Sequence, residues 1–208
     1  MAMVFVNGDI TGVEYSANTW GELLEALDGQ CAASGEVVTA VRIGRDEIPE
    51  FRTAQVVSQP LDANAEVFID AARPADLILQ TLDEADAATQ AIVESAAALG
   101  SSYRASDVAA VNRALPAFAE NLSMLIVVTS TVAQGARVDL SAIAHAGMSA
   151  TQMIDSLIAH TEALLSAQQA GHWSRAAEVI DGIAVSLRRW PLVLTAIRET
   201  APALKDVA

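Results

Sequence analysis

The chain has little of several residue types, and each scarcity excludes a class of protein. One of its 208 residues is cysteine, Cys31, so no intrachain disulfide can form, which favours a reducing compartment. One is lysine, Lys205, and Leu204 precedes it, so a Gly-Lys phosphate-binding loop is impossible. The N-terminus lacks a basic stretch followed by an apolar run, so no signal peptide is predicted. These features together favour a cytoplasmic protein.

Basic residues are also scarce, with 12 against 26 acidic ones and a net charge of −14. The first 74 residues carry 12 acidic and 4 basic residues, and the remainder carries 14 and 8. Phosphates need a stripe of basic side chains to neutralise them, and neither region has one. We therefore expect binding neither to nucleic acid nor to an anionic membrane. Eleven of the 12 basic residues are arginine, which indicates a GC-rich genome.

A long hydrophobic run is missing as well. The most apolar stretch, residues 122–132, is about 11 residues long, whereas a helix needs about 20 to cross a bilayer. It also contains four hydroxyl side chains after Leu122, namely those of Ser123, Thr129, Ser130 and Thr131. This composition predicts a buried helix and no membrane span.

Alanine is abundant instead, and 31 of the 42 alanines lie after Pro74. Alanine has the highest helix propensity, which predicts a helical C-terminal region. Within it, apolar residues recur at alternating steps of three and four, as on one face of a helix. The four stripes are Ile78, Leu82, Ala85, Thr89, Ile92, Ala96 and Leu99; Val108, Val111, Leu115, Phe118, Leu122, Leu125, Thr129 and Val132; Met153, Leu157, Thr161 and Leu164; and Trp173, Ala176, Ile180, Ile183, Leu187, Trp190, Leu194 and Ile197.

Four such stripes can be buried only against one another, which predicts an antiparallel up-and-down four-helix bundle. Gly100-Ser101-Ser102 is expected to end the first helix, and Ser149 with Gln152 forms a capping box that begins the third. Pro116 and Pro191 lie inside unbroken stripes, so each predicts a bend in a continuous helix. Between the second and third helices, a short turn around Leu140 is expected to close one end of the bundle.

The first 73 residues have β-type patterning around one helix. Asn7-Gly8 is a strong hairpin signal between a strand at residues 4–6 and one at 10–15. Thr19 and Glu22 have capping-box spacing and begin a helix that ends at Ser34-Gly35. Strands follow at residues 37–43 and 67–69, and a short edge strand is expected near Val56.

This order, β-β-α-β-(β)-β, resembles the ubiquitin-like β-grasp fold over residues 3–71. Conjugated or sulfur-carrying members of that family end in a free Gly-Gly, but here Asp70 to Arg73 runs directly into Pro74. This departure disfavours a role as a modifier or sulfur carrier, so the remaining interpretation is a fused module for recognition or for packing. The predicted fold is therefore α+β, with a β-grasp-like domain at residues 1–73 and the helical bundle at 74–208.

The last helical hairpin, residues 164–198, resembles the hairpin of flagellar export chaperones. The resemblance lies in its Ala-Gly-x-Trp turn and its Arg-Arg-Trp-Pro segment. Those chaperones are small α-helical bundles that wrap a secreted partner, so the resemblance implies protein binding.

Residues with catalytic potential have simpler structural interpretations. None of the three histidines, His145, His160 and His172, has a glutamate three residues before it, as a di-iron bundle requires. Cys31 falls on the apolar helix face with Leu24 and Leu27, so an inert core thiol is expected. Ser149 is predicted to cap a helix, and Asp83, Glu84 and Asp86 to form a solvated helix face. No catalytic residue, metal ligand or cofactor is predicted.

Two features point to a protein partner. Strand alternation that turns Val41 and Val67 inward turns Arg42 and Phe68 outward, and exposed arginines and aromatics are enriched in binding hot spots. The alternative is that this sheet face packs against the chain's own helices. Arg188 and Arg189 form the only local basic cluster, which is expected to pair with acidic helices of the chain or with an acidic partner.

The sequence therefore predicts a non-enzymatic protein-interaction module: an adaptor, a chaperone or an assembly component. One competing class is an enzyme or small-ligand carrier with a site between bundle helices near His160 and the acidic clusters. The other is a homo-oligomeric structural protein that associates through a sheet edge or alanine-rich helix faces.

Overall fold

A computed structural model of the chain describes residues 2–11, 15–62, 64–145 and 147–200, the side chains of residues 145 and 200 excepted. The chain divides into two compact units between Leu77 and Ile78. Each unit is described on its own below. The predicted α+β class is confirmed, while the domain bounds of 1–73 and 74–208 stay a prediction.

The first unit contains a five-stranded mixed sheet with the strand order β2-β1-β5-β3-β4. Strands β1 and β5 are parallel, and the other pairs are antiparallel. The predicted hairpin turn at Asn7-Gly8 is confirmed, since both residues have the positive φ angles, 51° and 88°, that such a turn requires. The strands are β1 Met3–Val6, β2 Asp9–Ile10, β3 Val37–Ile43, β4 Asp46–Glu47 and β5 Glu66–Ala72.

One face of this sheet is covered by helix α1, Trp20–Ala33. The Thr19 hydroxyl oxygen accepts a hydrogen bond from the Glu22 N–H at 3.3 Å, while the Glu22 carboxylate accepts from the Asn18 N–H at 2.6 Å rather than from that of Thr19. Burial of each large apolar side chain contributes about 1.5–3 kcal/mol. The buried core consists of Val4, Tyr15, Trp20, Leu23, Leu24, Leu27, Cys31, Val38, Val41, Val67, Ile69 and Ala71.

One prediction for this unit is tested only in part, and one is wrong. Of the strand predicted at 10–15, the described residues show β2 at Asp9–Ile10, while residues 12–14 lie outside the described residues. The segment near Val56 is the short helix α2, Ala54–Val57, in which the N–H groups of Val56 and Val57 both donate to the Thr53 carbonyl. The edge position is taken by β4 instead, because Gly44, with a φ of +59°, turns the chain back onto β3.

The second unit is helical, and its apolar stripes form one core. Nearly all stripe residues are buried. Among the exceptions, Thr161 and Trp173 are partly buried and Val108 is exposed. The helices are α3 Pro74–Arg104, α4 Val108–Gly135, α5 Ala150–Gln169, α6 Trp173–Leu187 and α7 Trp190–Thr200.

Two threonines take core positions without leaving their hydroxyl groups unpaired. The Thr89 hydroxyl donates to the Ala85 carbonyl at 2.7 Å, and the Thr129 hydroxyl donates to the Leu125 carbonyl at 2.8 Å. The Thr129 oxygen also accepts from the indole N–H of Trp190 at 3.1 Å. These bonds offset the desolvation of polar groups inside an apolar core.

The two prolines act differently. Helix α4 runs without interruption through Pro116, so the predicted continuity there is confirmed. The predicted bend at Pro191 is wrong, because α6 ends at Leu187 and α7 begins at Trp190. Pro191 thus lies in a first helical turn, where its missing N–H leaves no helical hydrogen bond unmade.

The predicted count of four helices is therefore not confirmed: the described part of the chain contains five helices beyond Arg73, from α3 to α7.

Other helix ends also differ in part from prediction. Helix α3 continues through Gly100 to Arg104, since the Ser101 and Ser102 hydroxyls bond back to helical carbonyls and Tyr103 is fully buried. The capping box of Ser149 and Gln152 is confirmed, with bonds of 3.2 and 2.8 Å. The segment between α4 and α5 packs Val138, Leu140 and Ile143 against the core, and contains an unpredicted hairpin of β6 Ala144–His145 and β7 Met148–Ser149.

Among the described helices, α4 alone is long and apolar enough to cross a membrane by length and composition. A core helix of a soluble protein meets the same test, so this is weak evidence of a span. Eight residues of α4, Leu115, Phe118 and Leu122 among them, are buried in the helical core. Their burial supports the predicted core helix.

Candidate interaction site on the sheet face

The face of the sheet opposite α1 carries one row of side chains that crosses all five strands. Strand pairing sets Ile10 beside Phe5, Phe5 beside Phe68, Phe68 beside Arg42, and Arg42 beside Glu47. Directly paired residues project to the same face of a sheet, where their side chains meet. We call these five residues the sheet-face row.

Stacked aromatic rings form the centre of the sheet-face row. The ring centroids of Phe5 and Phe68 are 4.7 Å apart, and the ring planes are inclined by 12°. The guanidinium carbon of Arg42 lies 5.8 Å from the Phe68 centroid, within cation–π range. The result is a flat aromatic platform with a cation at one end.

The two ends of the sheet-face row differ in chemistry. At the β2 end, Ile10 is 62% exposed, and the nearby Met3 on β1 is 50% exposed. Toward the β4 end, next to Glu47 in the row, Arg42 Nη2 lies 3.4 Å from Asp70 Oδ1, and both side chains are about half exposed. An exposed pair of this kind contributes about 0–1 kcal/mol, so a partner's carboxylate can replace Asp70 at little cost.

The edges of this sheet are poor templates for an added strand. The edge strands β2 and β4 have two residues each. Very short edges are one way in which proteins prevent strand-to-strand association. The broad face with its aromatic centre therefore offers a better contact surface than either edge.

The four residues predicted for partner binding fall in two places. Arg42 and Phe68 are adjacent on the open sheet face, as the strand alternation predicted. Arg188 and Arg189 lie in the other unit, exposed at the junction of α6 and α7. Neither of these two arginines forms an ion pair with any residue that the structure describes. Partner binding at both places stays a prediction.

Sequence reasoning missed Phe5, Ile10 and Asp70. Strand alternation could have indicated the position of Phe5, because Val4 is buried and the next residue of a strand faces the opposite side. Its stacking on Phe68 was not available, because the two residues are far apart in the chain and only strand register joins them.

His160 has a packing role. Its Nδ1 lies 2.6 Å from the Ser156 carbonyl oxygen, which can only accept, so Nδ1 carries the proton. The other side of the ring faces Gly182 on α6, where an added Cβ would lie 3.1 Å from Nε2. The imidazole therefore packs between α5 and α6.

The remaining reactive candidates also have structural roles. Cys31 is 3% exposed, and burial, followed by the charges of Glu36 and Asp28, raises the pKa of its thiol, so the predicted core thiol is confirmed. Asp83 pairs with Arg198 at 2.7 Å. Among the described residues, no three His, Cys, Asp or Glu side chains are grouped to hold a metal ion.

No family model, no curated protein and no solved structure matches this chain. The function is therefore inferred from the chain's own residues.

Proposed function

We propose that the protein is a non-enzymatic interaction module that binds a protein partner through the sheet-face row. The observation that carries the proposal is the stacked Phe5–Phe68 pair with Arg42 beside it on the face that α1 leaves uncovered. Aromatic and arginine side chains contribute most strongly to protein–protein hot spots. The role is that of an adaptor, a chaperone or an assembly component.

The row indicates what the partner presents. An apolar side chain would cover the two phenylalanine rings and Ile10, and a carboxylate would bind Arg42 in place of Asp70. The net charge of −14 supports a protein rather than a nucleic acid as partner, because phosphates would be repelled. Cytoplasmic location and membership of the ubiquitin-like β-grasp group belong to the same proposal, supported by the single cysteine and by the strand order.

Capture from a native lysate, followed by measurement with the purified partner, tests this proposal. The wild-type chain is the bait, the captured protein is identified by mass spectrometry, and its Kd is measured by calorimetry. We expect Arg42→Glu to weaken binding at least tenfold, because it removes the cation and repels the partner's carboxylate.

Arg45→Glu is the matched control, since it makes the same charge change at an exposed position in the turn after β3 and should leave the Kd unchanged. Equal losses for Arg42→Glu and Arg45→Glu would show a general charge effect and overturn the proposal. So would recovery of the bait alone across several growth states.

The competing enzyme or ligand-carrier class makes a different prediction. A stoichiometric metal found by elemental analysis of the purified protein would favour that class over ours.

A further inference from the structure

The junction of α6 and α7 carries positive charge in an otherwise acidic chain. Residues 182–198 contain three arginines and neither Asp nor Glu, although acidic residues outnumber basic ones by 26 to 12 in the whole sequence. One of the three, Arg198, pairs with Asp83 at 2.7 Å. The other two, Arg188 and Arg189, are adjacent, and we call them the arginine pair.

The lack of a carboxylate distinguishes the arginine pair from most other arginines. Six of the 11 arginines form ion pairs within the part of the chain that the structure describes. Arg188 and Arg189 are both exposed, and neither pairs with any described residue. Because two neighbouring cations repel each other, an anion that binds between them relieves this repulsion. Pairing with the chain's own helices is not seen among the described residues, which favours an acidic partner.

The backbone holds the arginine pair in place. The Arg188 N–H donates to the Ala184 carbonyl at 3.1 Å, and the Arg189 N–H donates to the Ser186 carbonyl at 3.1 Å. The next residue, Trp190, is fully buried. A backbone that is already ordered lowers the entropic cost of binding.

An apolar groove adjoins the arginine pair. The Leu192 N–H donates to the Arg189 carbonyl at 3.1 Å, and the Leu192 side chain is 45% exposed. It lines a groove of about 230 Å³, together with residues that include Ile143 and Met153. Glu199, two turns further along α7, is the one charged residue among the described residues of this lining. An apolar side chain can therefore enter at the Leu192 end while its neighbouring carboxylates meet the arginine pair.

The charge distribution favours carboxylates of a protein over the phosphates of a nucleic acid or membrane. Phosphate surfaces need an extended basic stripe, and two arginines in a chain of net charge −14 do not form one. A short acidic segment needs only the local contact, in which each guanidinium donates two hydrogen bonds to a carboxylate. At physiological ionic strength, exposed charges more than about 8 Å away are largely screened, so the chain's other carboxylates oppose this contact only weakly.

We propose that the arginine pair and the adjoining groove form a second binding surface, which takes an acidic segment of a protein partner with an apolar residue next to its carboxylates. This surface belongs to the helical unit and does not depend on the sheet-face row. Arg42→Glu should leave binding at the second surface unchanged, so each proposal can fail without the other.

NMR titration of the isotope-labelled full chain with a synthetic peptide tests the proposal. The peptide consists of repeated Glu-Glu-Leu units with blocked ends, and a Gln-Gln-Leu peptide of the same length is the control. We expect the glutamate peptide to shift the signals of residues 185–192 and to bind at least about tenfold more tightly than the glutamine peptide. Added salt should weaken its binding, because the contact joins exposed charges.

Charge-neutral variants locate the binding. Arg188→Gln/Arg189→Gln should weaken binding of the glutamate peptide about tenfold, since it removes both cations. Arg113→Gln/Arg137→Gln is the matched control: these arginines are exposed in the same unit, form no ion pair with a described residue, and give the same change in net charge. It should bind as the wild-type chain does. Arg188→Lys/Arg189→Lys keeps the charge and should retain most of the binding.

Several outcomes overturn the proposal. They are equal losses in the two glutamine variants, equal binding of the two peptides, and no shift at residues 185–192 at the highest peptide concentration. Tighter binding of single-stranded DNA or of anionic lipid vesicles than of the peptide would assign the arginine pair to phosphates, and also overturns it. Thermal unfolding of each variant shows whether a loss of binding comes from a loss of fold.

Discussion

The two units bury their apolar residues in different ways, and the difference bears on where each can bind a partner. In the first unit a single helix, α1, covers one face of a five-stranded sheet, and the other face carries Phe5, Phe68 and Arg42. In the second unit the stripes of five helices are buried against one another. A sheet has two faces, so one helix leaves the other face for contacts outside that layer. In a helical bundle, exposed apolar residues remain only along grooves and outer ridges.

The largest expected effect is at the centre of the helical core. Trp190 is fully buried, and its indole N–H bonds to Thr129. We expect Trp190→Ala to lower the free energy of unfolding by about 3–5 kcal/mol, from the cavity and from the bond that Thr129 loses. Urea unfolding, monitored by circular dichroism, measures this loss of free energy.

Trp190→Phe is the control, because it keeps most of the volume and loses only the hydrogen bond, at about 1 kcal/mol. Labelling of the Cys31 thiol in the same experiment reports on the first unit. A loss for Trp190→Ala as small as that for Trp190→Phe would contradict the central place given to this side chain.

A smaller effect tests the close approach of α5 and α6. Gly182→Ala places a methyl group against the His160 ring, for which we expect a net loss of about 1–2 kcal/mol. In a His160→Ala background the same change should stabilise the protein by about 0.5–1 kcal/mol, since alanine is the better helix former. A double-mutant cycle by urea unfolding measures whether the effect of Gly182→Ala on the free energy of unfolding changes sign between the two backgrounds. The same loss in both backgrounds would contradict the packing role of His160.

The next effect concerns alkaline pH. Tyr103 is buried, its hydroxyl donates to Gln168 at 3.3 Å, and burial raises its pKa. The unfolded chain therefore loses this proton first, near pH 10, and stability falls as pH rises further, by up to about 1.4 kcal/mol per pH unit. Urea unfolding at pH 8 and at pH 10.5 measures the slope. Tyr103→Phe should have a shallower slope; an unchanged one would assign the alkaline loss to other groups.

The smallest effect lies on the surface of the first unit. Asp28 and Arg52 form two hydrogen bonds of 2.8 Å, and Arg52 lowers the pKa of Asp28. The pair is partly exposed, so Arg52→Ala should cost about 0.2–1 kcal/mol at pH 7. A depressed folded pKa contributes stability above the unfolded value, near 3.8, and this is lost as pH falls through the folded value. Wild type and variant should thus converge as the pH is lowered from 7 below the unfolded value, as thermal unfolding over a series of acid pH values will show.

Much of the fold could be predicted because its signals are local. The alternation at Val41, Val67 and Ile69 predicted the buried face of the sheet, and the Asn7-Gly8 pair predicted its first turn. The stripes predicted the helical core down to Thr89 and Thr129, whose hydroxyls bond within their own helices. Each signal depends on residues a few positions apart.

Where prediction failed, distant residues decide the outcome. Pro116 and Pro191 both lie in unbroken stripes, yet one is inside a continuous helix and the other in the first turn of a new one. Next to Pro191 is Trp190, whose indole N–H bonds to Thr129, 61 residues earlier in the chain. Two of the five residues of the sheet-face row, Arg42 and Phe68, were predictable from alternation. The contact between Phe68 and Phe5 was not, since the two meet only through the parallel pairing of β1 and β5.

The sequence by itself thus determined the buried face of most strands and helices, because that face follows from periodicity along one strand or helix. It also determined that the chain is acidic and without a basic stripe, which disfavours binding to phosphates. Only the tertiary structure decided which strands and helices are neighbours. That choice assembles the sheet-face row from five strands and places apolar grooves on both sides of α4, because side chains that are distant in sequence meet only when their backbones pair or pack.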